Sequence, residues 1–160
     1  MKETHWLASD QTVAVRHGSA ADADALTAIF LAARRHSMSY LPTLHSDADT
    51  RWWMEHVVLG RSEVLVAIRG GEIAGFAALG AGSLDHLYVA PALQSAGIGA
   101  SLVQAAQARR TILALHVFEQ NVGGRRFYGR HGFTVTGGSD GSGNEEGLPD
   151  LEMTWRAIQP

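Results

Sequence analysis

The feature that most limits how this chain can fold is one unbroken succession of strand, glycine turn, helix and strand. "SLDHLYVAP" (83–91) reads as a strand closed by proline, and "ALQSAGIGASLVQAAQARR" (92–110) carries two glycines into an apolar, helix-like pattern. "TILALHVF" (111–118) then reads as a buried strand with no charge until Glu119. Two strands joined by a helix of this length can pair only in parallel, through a right-handed crossover. The unit therefore demands a sheet with at least one parallel pair and a helix packed on its face.

The flanking segments add strands of the other sense. "TVAVRHG" (12–18) alternates like a first strand, and "SAADADALTAIFLAARR" (19–35) follows as a helix with Ser19 as its N-cap. Leu26, Ile29, Phe30 and Ala33 fall at i, i+3, i+4 and i+7, a core-facing stripe. Residues 36–49 are irregular, and "DADTRWWMEHVVL" (47–59) reads as a second helix capped by Asp47 or Asp49. "SEVLVAIRGGEIAGFAALG" (62–80) is a hairpin turning at Gly70-Gly71. "NVGGRRFYGRHG" (121–132) reads as a short helix, "FTVTG" (133–137) as a strand, 137–147 as a glycine-rich loop and "PDLEMTWR" (149–156) as a last strand. The order β-α-α-β-β-β-α-β-α-β-β predicts an α/β or α+β sandwich. Its sheet is mixed and mostly antiparallel, with helices on its faces. All 160 residues fit one domain.

A Gly-x-Gly at a helix mouth presents free backbone N–H groups at a positive helix end, which suits phosphate or pyrophosphate. It equally fits a tight turn packed against a sheet. A Walker loop needs Gly-Lys-Ser/Thr, and the only lysine is Lys2. A dinucleotide fingerprint needs a third glycine where this chain has Leu102. The pattern that remains is Gln94-Ser95-Ala96-Gly97-Ile98-Gly99, or Q-x-x-G-x-G, after a strand ending "LYVAP".

This pattern resembles the coenzyme A signature of the GNAT superfamily of N-acetyltransferases. "NVGGRRFYGRHGF" (121–133) is similar to the next motif of that superfamily, and the element order matches over nearly the whole chain. The resemblance implies a central parallel pair splayed apart after Val89. It implies that acetyl-CoA is the cosubstrate, with no metal. Leu87, Tyr88 and Val89 would flank the pantetheine arm, and backbone groups of Leu87 and Val89 would pair with it. Gln94, Ser95, Ala96, Gly97, Ile98, Gly99 and Ala100 would hold the pyrophosphate. Asn121 would hydrogen-bond the arm, and Tyr128 would lie near the sulfur. At i and i+7 those two share a helix face. Phe127 lies off that face, among the residues on the cofactor side, and anchors the helix. Gly123 and Gly124 stand where the family usually has a helix former, which weakens the first turn by ~1 kcal/mol each.

The implied chemistry is direct attack of an amine on the thioester. A base must take the proton of the amine. The N–H of Val89 would stabilise the oxyanion, and Tyr128 would protonate the departing thiolate. His86 and Glu119, on or beside the two cleft strands, are the candidate bases, with His45 in the irregular segment beyond them. A histidine on a strand is also common as a packed or solvated residue, and Glu119 also reads as an end-of-strand charge. Asn144, Glu145, Glu146 and Asp150 would set negative charge beside the cleft, or belong to a solvated hairpin loop. Of Trp52 and Trp53, adjacent on a helix, at least one packs in the core.

Composition narrows the rest. With no cysteine, disulfides and thiolate chemistry are excluded. A net charge of −3 gives no basic field for nucleic acid or an anionic membrane. No apolar run reaches membrane-spanning length, and "MKETHWLASDQ" lacks the apolar core of a signal peptide. The expectation is a cytoplasmic N-acetyltransferase, monomer or homodimer, whose partner is an amine acceptor. The alternative on the same fold is a CoA-binding sensor without turnover.

Overall fold

The computed structural model describes residues 12–94 and 96–158. Ser95 of the glycine stretch lies outside them. β1 (Val13–His17) leads through a 3₁₀ turn (Ala20–Asp22) into α1 (Ala23–Ser37). The backbone N–H of Ser19 donates to the carboxylate of Asp22 at 2.9 Å, and the Arg16 guanidinium grips the same carboxylate at 2.9 Å. The Arg16 guanidinium most strongly, with the Ser19 N–H, holds Asp22 below the usual carboxylate range against the opposing effect of burial.

α2 (Asp47–Trp53) is capped by Ser46, whose hydroxyl accepts from the Asp49 N–H at 3.0 Å. The cap thus lies ahead of the expected Asp47 or Asp49, which instead put negative charge in the first turn. The helix then widens into a π turn (Met54–Val58) before a last turn (Leu59–Arg61). The expected single helix is therefore interrupted. The wider turn leaves Thr50, Met54 and Val58, spaced four apart, all buried.

β2 (Glu63–Arg69) and β3 (Glu72–Leu79) form the expected hairpin, with φ of 60° at Gly70 and 77° at Gly71. Only glycine adopts two such dihedrals in succession without strain. β4 (Leu84–Val89) completes a four-stranded antiparallel sheet in the order β1-β2-β3-β4. α3 (Ile98–Gln107), β5 (Ile112–Phe118), α4 (Val122–Arg130), β6 (Thr134–Ser139) and β7 (Asp150–Arg156) follow. The last three strands form a second antiparallel sheet, β5-β7-β6. β6 is longer than "FTVTG" suggests because Gly137, Gly138 and Ser139 pair with Glu152, Leu151 and Asp150 across a bulge.

The two central strands of the first sheet, β2 and β3, are buried on both faces. Leu65, Ala67, Ala77 and Leu79 pack toward α3 with Ile98, Leu102 and Val103. Val64, Val66, Phe76 and Ala78 pack toward α1 and α2 with Leu26, Ile29 and Met54. This alternation turns the period-two pattern of β2 and β3 into two cores, one on each side. Among the described residues no helix is long and apolar enough to cross a membrane.

Candidate active site

The two sheets meet along β4 and β5, and there the expected parallel pairing is reduced to one bridge. Ser83 pairs with Ala114, and the Ala114 N–H donates to Gly82 O at 2.9 Å. Beyond that point β4 pairs only with β3 and β5 only with β7. The seam therefore opens just beyond Ser83, ahead of the splay expected after Val89.

Antiparallel alternation identifies the backbone groups on that open edge. The Ala90 N–H donates to Ala74 O at 2.8 Å, so Ala90, Tyr88 and His86 spend their backbone groups on β3. The N–H and C=O of Leu87 and Val89 then point into the seam. On the facing edge the Glu119 N–H donates to Pro149 O at 3.0 Å. By the same alternation His116 and Phe118 direct their backbone groups toward β4.

The mouth of α3 lies at the end of this seam. Gly97 is its N-cap, at φ 83°, and a Cβ built there meets nothing within 4 Å. The first intrahelical bond runs from the Ser101 N–H to Gly97 O. The N–H groups of Gly97, Ile98, Gly99 and Ala100 therefore have no partner within the helix. Those of Gln94 and Ala96 donate within the preceding turn, at 3.4 and 3.3 Å, and the Gln94 side chain donates to the Ser37 hydroxyl at 3.4 Å. Gly99 is explained differently from Gly97. A Cβ there would stand 3.1 Å from the Phe127 ring, so its lack of a side chain seats α4 against α3. Gly75, which sequence reasoning passes over, does the same for the sheet: a Cβ would fall 2.7 Å from Tyr88 O and 3.2 Å from Ile98.

α4 forms despite Gly123 and Gly124. Asn121 is its N-cap, the side-chain Oδ1 accepting from the Gly124 N–H at 2.9 Å. A Cβ on Gly124 would lie 2.6 Å from that amide, so the cap requires the glycine that propensity penalises. The Nδ2 of Asn121 remains a donor, 4.0 Å from Met38 Sδ. Phe127 packs on Tyr128 and His131, at centroid distances of 5.3 and 4.7 Å. Burial, with Tyr88 nearby, pushes the Tyr128 hydroxyl far up from its ordinary value, so it stays protonated. It makes no hydrogen bond to a described residue, and among the described residues no fully buried side-chain nitrogen or oxygen lacks a partner.

On the other side of β4 lies a cavity of about 670 Å³, walled by α1, α2, segment 38–46 and the 140–149 loop. His86 projects into it, edge-on to Trp53 at 5.1 Å. A bulge at Asp85 sets this register, since Leu79 opposes Leu84 while Ala78 opposes His86. Burial lowers the pKa of His86 from its ordinary value. The charge of Arg34 lowers it further and Asp85 opposes, so the ring is neutral at neutral pH. Its nitrogens, without a partner, must reach the cavity. Glu119 does not join it: the residue is exposed at the end of β5 and does not line the cavity. Trp53 faces inward, whereas Trp52 is 59% exposed and stacks on His56.

The 140–149 loop is folded, not free. Asn144 staples it, accepting from the Gly147 N–H at 2.7 Å and donating to Leu148 O at 2.8 Å. Asp150 accepts from the Ser139 hydroxyl at 2.7 Å. Glu145 and Glu146 are the two members of the acidic run that line the cavity. Each has a partner there: Glu145 meets His45 at 3.1 Å and Glu146 meets Arg34 at 3.2 Å. Sequence reasoning missed Arg34 altogether. The available signal was Phe30-x-x-x-Arg34, which puts the guanidinium 5.1 Å from the ring centroid.

The family model described as "Acetyltransferase (GNAT) domain" matches residues 10–157. The peptidyl-lysine N-acetyltransferase YiaC of Escherichia coli is 28% identical over 122 residues, 72% of this chain and 82% of that protein. A GCN5-related N-acetyltransferase from Rhodopseudomonas palustris superposes with a TM-score of 0.76 at 25% identity, covering 91% of this chain and 96% of that one. The acetyl-CoA-bound structure of YncA from Salmonella typhimurium shares the fold at a TM-score of 0.69 and 23% identity, covering 93% and 96%.

Proposed function

This chain belongs to the GNAT acetyltransferases, and from that premise we propose that it moves the acetyl group of acetyl-CoA to a primary amine of a small molecule or peptide. The amine attacks the thioester directly. The observation that carries this reading is the double use of β4. Its Leu87 and Val89 turn backbone groups into the open seam, while His86, the residue before Leu87, turns a neutral imidazole into the cavity. Donor and acceptor would thus meet across a single strand. The acetyl-CoA bound by the Salmonella relative supports the choice of cosubstrate.

In this reading the pantetheine arm pairs with Leu87 and Val89 as a missing strand, and the pyrophosphate takes the free N–H groups of Gly97 to Ala100. Asn121 donates its Nδ2 to the arm. The amine enters from the cavity, and His86 accepts its proton directly or through water. The nitrogen forms its bond to the thioester carbon, and the oxyanion is held by the Val89 N–H. The C–S bond then breaks, and the thiolate takes a proton from Tyr128 as CoA leaves. Protons and electrons balance: one proton goes to His86 and one comes from Tyr128, and solvent restores both.

The test is CoA thiol release from acetyl-CoA with spermidine, 2-phenylethylamine, glucosamine and a lysine-bearing peptide. The peptide is included because YiaC carries the name of a peptidyl-lysine enzyme. Release above hydrolysis with one of these is the expected result. Tight CoA binding with no release across a broad amine panel would instead favour a binding module.

A further inference from the structure

Arg34 stands where three parts of the molecule meet. It rises from the last turns of α1, donates to the Tyr88 hydroxyl on β4 at 3.3 Å, and donates to the Glu146 carboxylate on the 140–149 loop at 3.2 Å. Its guanidinium lies over Phe30, 5.1 Å from the centroid. The Arg34 and Glu146 side chains are only 23% and 14% exposed, so salt screens this pair far less than a surface one. Phe30 and Tyr88 are also the rings beside His86, at 6.4 and 6.3 Å between centroids. One buried cation therefore shares its supports with the one neutral imidazole that faces the cavity from β4.

We propose that Arg34 is the positioning residue of the acceptor half: it ties the 140–149 loop to β4 and presents a fixed positive charge to His86. The tie runs through Tyr88, whose two neighbours in sequence present the seam-facing backbone groups. The position of the acceptor loop is thereby referred to the strand on which the thioester lies. The charge favours the form of His86 that can take a proton. The proposal rests on His86 as the base. The other charged or titratable groups facing His86 are Asp85 and Tyr88 on its own strand, Arg35 on α1 and Asp49 on α2. His45 comes from segment 38–46, and Glu145 and Glu146 from the loop. Arg35 is paired with Asp47 at 2.7 Å and Glu145 with His45, and Arg34 is the cation whose charge acts on the ring.

Three variants of the full chain separate charge from tethering. Arg34→Met and Glu146→Gln both cut the tie, and both are expected to raise KM for the acceptor several-fold while leaving the Kd for acetyl-CoA unchanged. Their effects on His86 are opposite in sign. Removing the cation raises the pH at which the ring protonates. Removing the anion leaves the cation unneutralised and lowers that pH. Arg34→Lys keeps the charge and loses the fork, so the ring is expected to titrate near its wild-type position with acceptor KM still raised. The ring is read by NMR titration, assigned by its loss in His86→Gln, and the acid limb of kcat/KM is read with the fastest amine of the panel. Shifts of the ring in the same direction in Arg34→Met and Glu146→Gln, or none in either, overturn the proposal. If the ring moves in opposite directions while the rate profile stays still, Arg34 keeps its hold on His86 and it is the assignment of His86 as base that falls.

Discussion

The two halves of the cleft are built from different materials. The seam half is made of backbone: the edge of β4, the matching edge of β5 and the first-turn N–H groups of α3, with Gly97 leaving open space before them. The cavity half is made of side chains: His86, Trp53 and Phe30, with two ion pairs joining its walls. Backbone recognition depends on main-chain course and tolerates most substitutions except at glycine. Side-chain recognition depends on a few long residues brought together from separate segments, and each of them can be exchanged. A cleft so divided can keep its cosubstrate while its acceptor changes.

The largest test of that division is His86→Gln. Loss of a general base is expected to lower kcat by about a thousandfold, with acetyl-CoA affinity unchanged by calorimetry. In the wild type, kcat/KM for the acceptor is expected to rise with pH and level off below the ordinary imidazole value of about 6.5. The sign follows from burial, which disfavours the protonated ring. If His86→Gln also weakened acetyl-CoA, the halves would not be separable.

Gly97→Val is the converse test. A branched side chain in front of two or three charge-assisted hydrogen bonds is expected to weaken CoA by about a hundredfold. The positive φ of 83° adds a fold cost of about 1–2 kcal/mol, which circular dichroism should show to be survivable. Normal CoA binding by this variant would remove the helix mouth from the site. Tyr128→Phe is expected to lower kcat about tenfold, less than the base, because a thiolate is already a fair leaving group. Its KM for acetyl-CoA should stay within a few-fold.

Gly99→Ala sharpens the comparison from inside the seam half. Because its missing Cβ faces Phe127, the expected effect is a loss of about 1–3 kcal/mol in stability by denaturant titration. A smaller residue at 127 should relieve it, as a double-mutant cycle would read. A selective loss of CoA affinity with no loss of stability would return Gly99 to the ligand. The smallest effect is expected from Glu145→Gln. Its pair with His45 is 61% and 55% exposed, so acceptor KM should rise by no more than about twofold. Added salt should reproduce that rise in the wild type.

The same division explains what could be read from the sequence. Gly97 was legible because a left-handed helix mouth admits little else, and the seam was legible because a strand, helix and strand leave one topology. The packing role of Gly99 was not legible because its partner, Phe127, lies 28 positions downstream and no local pattern joins them. Gly124 looked like a defect because propensity counts the helix and not the Asn121 cap folded onto it. The cap at Ser46 and the π turn at Met54–Val58 were hidden by acids and apolar residues that satisfy an ordinary helix equally well. Arg34 was hidden most deeply, since its role exists only once α1, β4 and a loop over a hundred residues away have met.

The single bridge between Ser83 and Ala114 has a consequence for how this protein survives in solution. Two sheets joined at one rung leave a row of main-chain groups without a strand partner, and a ligand that pairs with that row adds hydrogen bonds that the fold does not make by itself. By mass action, a cosubstrate bound only by the folded form stabilises it by about 2.7 kcal/mol at a hundred times its dissociation constant. The melting temperature then becomes a gauge of acetyl-CoA concentration, and the empty protein is the form most exposed to proteolysis.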